Sequence, residues 1–135
     1  MKTIIQLIQS KYTAIFWLVL ILILCTIPSE HLPKGQPNDK ISHFIAFAGF
    51  TFFWFFQSSK HWLIILMAAL YGIGIEFWQG SLPESFHRSF DWYDALADGI
   101  GGVIGLIIYL LFNKLIALFG FTPTHHFVKN KEVLN

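Results

Sequence analysis

The sequence predicts an all-α integral membrane bundle of four transmembrane helices, and three observations lead there. Four apolar runs approach twenty residues each, about the length needed to cross a hydrocarbon core of roughly 30 Å at 1.5 Å per residue. The composition is 55% apolar and 13% charged, against roughly 25% charged in a globular domain. Threading the runs through a bilayer also gathers seven of the eight acidic residues on one side. Continuous apolar runs favour helices over barrel strands, whose lipid-facing and lumen-facing residues alternate.

Each run can be justified in order. The first helix is expected over about 12–29; Tyr12 to Ser29 is uncharged and Leu/Ile-rich, with Pro28 marking the end. Pro28 to Pro37 is a Pro-rich, non-helical connection. The second helix, about 41–59, carries His43 as its one titratable group, and Gln57 to Lys60 forms a tight hairpin after it. The third, about 62–80, carries Glu76, and a polar loop broken by Pro83 runs from Gly80 to Phe90. The fourth, about 92–119, contains Asp94 and Asp98 near its start and stays apolar past Lys114. Residues 1–121 form one domain, and 122–135 a polar cytoplasmic tail whose His125 and His126 are read as a solvated pair. No A-x-A cleavage site follows the first run, so it is read as a retained anchor. A lone Cys25 inside an apolar run allows no intramolecular disulfide.

Lys and Arg set the orientation. Lys2, Lys11, Lys60, Lys114, Lys129 and Lys131 fall on one side, and Lys34, Lys40 and Arg88 on the other, so both termini are expected in the cytoplasm. The outer side then holds seven acids and the inner side only Glu132. Tyr12 and Trp62 lie at the inner interface, and Trp78, Trp92 and Tyr93 at the outer one, as an aromatic belt requires.

Acids inside apolar runs are costly, so several at one depth suggest a built polar pocket. Asp39 and His43 share a helix face, as do Glu76 and Gln79. Asp91, Asp94, Asp98, Gly101 and Gly105 lie within about 80° of one another around the fourth helix. The expected pocket comprises Asp39, His43, Glu76, Gln79, Arg88, Asp91, Asp94 and Asp98 in the outer leaflet, above helix-packing faces at Gly72, Gly101 and Gly105. Asp39 and Asp91 are also suited to cap helix N-termini. Arg88 is expected to pair bidentately with Asp94 or Glu76, whereas Lys40 is read as a solvated interfacial charge.

Read in order, Asp39-Lys40-x-x-His43-Phe44, Tyr71-Gly72-x-x-x-Glu76-x-x-Gln79 and Arg88-x-x-Asp91-x-x-Asp94-x-x-x-Asp98-x-x-Gly101-x-x-x-Gly105 resemble the VanZ-like family over roughly residues 13–115. The resemblance implies a small multi-pass protein of the bacterial cytoplasmic membrane, in a family whose founding member is linked to resistance to the glycopeptide antibiotic teicoplanin. Many relatives carry Gly before the loop arginine where this chain has His87, which implies a different loop backbone here.

Two functions follow from these residues. One is a non-enzymatic envelope protein that binds an amphiphile: a membrane lipid headgroup, a lipid-linked cell-wall precursor or a lipoglycopeptide. The other is a membrane-embedded enzyme acting on a lipid or glycan, in which His43, Glu76, Asp94 and Asp98 serve as acid and base or hold a divalent cation. No known metal-motif spacing and no nucleophile signature appear, so no metal, cofactor or catalytic residue is assigned. A proton-coupled carrier fits less well, because the polar groups cluster on one side. The acidic outer face argues against nucleic acid as a partner.

Overall fold

The computed structural model describes residues 2–31 and 39–120, an all-α arrangement of five helices. The connection beyond His31 with Lys34, the tail with His125 and His126, and the side chain of Asp39 lie outside the described residues. A short helix, α1 (Lys2–Ile8), to which the sequence pattern assigned nothing, precedes α2 (Lys11–Thr26). The two meet at a 52° bend. Ser10 makes this break, its side chain accepting a hydrogen bond from the Tyr12 amide at 3.2 Å as the N-cap of α2. At its other end α2 stops three residues before the expected limit. Ile27 precedes Pro28 and is forced into the extended region at φ −65°, ψ 130°.

Helices α3 (Asp39–Phe55), α4 (His61–Ser81) and α5 (Trp92–Leu118) form the centre, with α3 packed most extensively on α5, α4 beside α5, and α2 flanking α3 and α4. The core falls into two layers. One joins Ile21, Phe47, Phe50, Ala68 and Ile75 near mid-bundle. The other joins Phe55, Phe56, Ile64 and Tyr109 at the end away from the acids, where rings meet edge to face, Phe56 and Tyr109 lying 4.9 Å apart. Two long-range bonds tie α2 to this core: Trp17 Nε1 donates to the Ala46 carbonyl at 2.8 Å, and the Tyr71 hydroxyl donates to Leu18 at 2.9 Å.

The close approach of α3 and α5 rests on missing side chains. A Cβ on Gly101 would sit 2.7 Å from the Phe44 carbonyl oxygen, and one on Gly105 would collide with Thr51 and the Ala48 carbonyl. Thr51 itself donates to the Gly102 carbonyl at 2.9 Å, a bond across the seam that the sequence pattern did not single out.

Helices α4 and α5, with 21 and 27 residues, are long and apolar enough to cross a membrane. Helices α1 and α2 meet that test as one bent span, giving up to three spans. Four spans are not confirmed, because α3 is short. Its 17 residues rise about 25 Å, its first turn is polar, and the chain turns at Phe56–Gln57 instead of continuing to residue 59. The exposed surface of the helices is apolar, as at Leu70, Ile107 and Leu111, as expected of helices that meet lipid.

The Gly101→Ala variant is expected to lose roughly 1–3 kcal/mol of stability, since a backbone atom cannot move aside as a side chain can. Gly99, with nothing within 4 Å of an added Cβ, is the control. Gly99→Ala should be neutral or gain up to about 1 kcal/mol from helix propensity. Thermal unfolding in detergent measures both.

Candidate polar site

The first turn of α3, the last turns of α4 and the first turns of α5 meet at one end of the bundle, and each delivers ionisable groups there. His43 on α3 lies with its Nδ1 2.8 Å from Asp98 Oδ1 on α5 and its Nε2 4.0 Å from Asp94 Oδ2. Glu76 on α4 accepts from the Asp91 amide through Oε2 at 2.9 Å, tying the end of α4 to the start of α5. Glu76 and Asp98 are each 0% exposed, and Glu76 Oε1 and Asp98 Oδ2 have no hydrogen-bond partner among the described residues. Asp98 reaches across to α4: a Cβ on Gly72, one turn below Glu76, would lie 2.7 Å from Asp98 Oδ2. Ligand atoms of His43, Glu76 and Asp98 all lie within 4.8 Å of one another.

Nearer the surface a cation closes the cluster, and it comes from Lys40. Its Nζ sits 2.7 Å from Asp94 Oδ1 and 3.2 Å from Asp91 Oδ2. Lys40 is therefore part of the site, in contrast to its reading as a solvated charge. Its position three residues before His43 puts both on one face of α3, and that spacing was the available signal. Asp91 is the N-cap of α5. The Tyr93 amide donates to its carboxylate at 2.8 Å and, with Lys40, holds that carboxyl below the usual aspartate range.

Two of the expected pocket residues turn elsewhere. Arg88 Nε donates to the Ile27 carbonyl at 3.3 Å, and its Nη2 reaches the carbonyls of Ile27 and Leu24 at 3.3 and 3.5 Å. Gln79 Nε2 donates to the Cys25 carbonyl at 3.2 Å. The last carbonyls of a helix have no intrahelical donor, and α2 lacks a glycine cap because it ends ahead of Pro28. Gln79 and Arg88 supply those donors, so the pairing expected between Arg88 and Asp94 or Glu76 gives way to Lys40 on Asp94. Of the remaining expected residues, Asp94 is buried beneath Lys40, and the Asp39 side chain lies outside the described residues. His87, before Arg88, adopts φ 49° and ψ 42°, the left-handed region that glycine favours. The loop thus keeps a glycine-like backbone with a histidine in place, and His87 Nδ1 lies 3.1 Å from Glu30 Oε1.

Comparison with known proteins matches residues 2–113 to the VanZ/LLP1 family model. The chain belongs to the VanZ/LLP1 family. An uncharacterized protein of the fission yeast Schizosaccharomyces pombe is 34% identical over 113 residues, covering 79% of this chain and 67% of the yeast protein. No solved structure matches. Within this VanZ/LLP1 chain the cluster spans all three sequence stretches that carried the resemblance. By its apolar helices it is a multi-pass membrane protein.

Replacing Asp91 by Ala should lower the unfolding temperature by removing both the cap of α5 and one partner of Lys40. Because the folded-state carboxyl is depressed, its contribution is complete above the ordinary aspartate value of about 4. It is lost as pH falls through the lowered folded value. The gap between wild type and Asp91→Ala in thermal scans should therefore be widest near neutral pH and close in acid.

Proposed function

We propose that this VanZ/LLP1 protein binds an amphiphile, with the polar headgroup in the cluster of α3, α4 and α5 and the apolar part against the bundle. The observation that supports it most is the layered polarity at one end of an apolar bundle. A half-exposed Lys40 with Asp91 forms the rim, and Asp94, His43, Asp98 and Glu76 lie behind it. Lys40 suits a phosphate or carboxylate oxygen, and the acids suit hydroxyls and amines. An open apolar groove of about 390 Å³ between α2, α3 and α5 begins at Phe44 and Ile45, next to His43 in sequence, and continues to Phe52 and Ile108. Such a groove is suited to an acyl chain. The yeast relative favours a ligand common to many cells, a membrane lipid headgroup. A lipid-linked cell-wall precursor or a lipoglycopeptide remains within the same chemistry, and with it a link to glycopeptide resistance.

A second reading has one observation in its favour, the buried trio of His43, Glu76 and Asp98. Acid–base or metal-assisted cleavage of a lipid or glycan would use it, and turnover of the bound lipid would distinguish the two.

Native mass spectrometry of the detergent-purified protein is expected to show one lipid retained per chain in the wild type. Lys40→Ala should lose most of that occupancy. Equal retention by both would overturn the headgroup assignment.

In this reading the site faces outward in a four-span bundle of the bacterial cytoplasmic membrane, with both termini in the cytoplasm. The partition of Lys and Arg across the loops supports that orientation. Green fluorescent protein fused after Asn135 should therefore fluoresce, and alkaline phosphatase fused there should be inactive. The reverse pattern would invert the topology.

A further inference from the structure

Each buried carboxylate has one oxygen already used. Glu76 Oε2 takes the Asp91 amide and Asp98 Oδ1 takes His43 Nδ1, at 2.9 and 2.8 Å. The second oxygen of each has no protein donor among the described residues, although both side chains are 0% exposed. Lys40 contacts Asp94 and Asp91, and no Lys or Arg forms an ion pair with Glu76 or Asp98 among the described residues. With both carboxyls ionised and the imidazole neutral the trio would carry −2, a charge that a divalent cation would cancel. Zinc is held by imidazole nitrogen and carboxylate oxygen at about 2.0–2.2 Å, which places ligand atoms about 3.4 Å apart in a tetrahedron. The ligand atoms here lie within 4.8 Å of one another, so the three side chains would draw closer around a bound ion.

We infer that His43, Glu76 and Asp98 form a binding site for a divalent first-row metal ion, with zinc the best fit to one nitrogen and two oxygens. Asp94 and Lys40 stand outside it: Asp94 lies 4.0 Å from His43 Nε2, and Lys40 holds Asp94 in place. Three protein ligands leave zinc an open coordination position. That position accepts water or an oxygen of a bound headgroup, so the site serves a binder and an enzyme alike. The inference goes beyond the amphiphile reading and is tested without any lipid.

The test uses the full chain in detergent, stripped with a chelator and reloaded with zinc chloride or manganese chloride. Metal is counted by mass spectrometry of the elements. About one ion per chain is expected in the wild type, with a rise in unfolding temperature on loading. Glu76→Gln and His43→Ala should fall to background. The double variant His125→Ala, His126→Ala should keep its ion, which separates the bundle site from adventitious binding by the tail. X-ray absorption at the zinc edge of the wild type decides the matter even where a variant does not fold. One imidazole with carboxylate oxygens supports the site, and a sulfur or multiple-imidazole shell overturns it. Absence of a stoichiometric ion from the reloaded wild type overturns it as well, as does full loading of folded Glu76→Gln.

Discussion

The seam between α3 and α5 is the contact on which the rest of the structure depends. Gly101 and Gly105 bring α5 against the backbone of Phe44 and Ala48, and that approach sets the depth at which His43 meets Asp98. A helix separation even slightly wider would part Asp98 from His43, in surroundings where an unpaired charge is costly. The threonine bond from Thr51 to Gly102 fixes the same seam a turn deeper. Small residues and one hydroxyl thus perform in this bundle what hydrophobic burial alone cannot, since lipid is as apolar as the core.

The second constraint is the exposed end of α2. A helix that stops before a proline leaves carbonyls without donors, and in a membrane bundle water cannot be relied on to supply them. Gln79 and Arg88 reach back to Cys25, Leu24 and Ile27, and Trp78 Nε1 donates to Thr26 Oγ1 at 3.0 Å. The end of α4 and the loop after it are thereby anchored to α2. Glu76, on the same turns of α4, is free to face α5 instead. The chain thus divides its polar residues between holding the frame, through Gln79 and Arg88, and building the site, through Glu76.

Much of this was legible from sequence, for identifiable reasons. The stripe Asp91, Asp94, Asp98 follows from helical periodicity, and the three acids do share a face. Helix limits on α4 and α5 came within a residue of the apolar runs. Three features were not legible. Periodicity cannot say that α3 ends at Phe55, since Phe56 is as apolar as its neighbours and the turn is made by contacts with α5. Nor does it distinguish an arginine that meets carboxylates from one that meets carbonyls, because both are acceptors and only the ending of α2 decides. Lys40 reads as a solvated interfacial charge, although its spacing to His43 marks it as a neighbour of the acids. Pairing across helices is long-range information that a single helix face does not carry.

The arrangement of charge within the cluster makes the last step. Its outer part is compensated, with Lys40 shared between Asp91 and Asp94. Its inner part is arranged differently. Each deep carboxylate is oriented by one firm hydrogen bond, and its second oxygen has no donor among the described residues, that of Asp98 lying against Gly72. Evolution of a purely structural contact favours satisfying such oxygens or replacing them with apolar groups of the same size, which is often neutral or stabilising. Retaining both, beside an imidazole and at the end of the bundle, costs stability that a function must justify. A ligand that brings hydrogen-bond donors or positive charge, a hydroxyl, an amine or a metal ion, is the kind for which that cost becomes affinity.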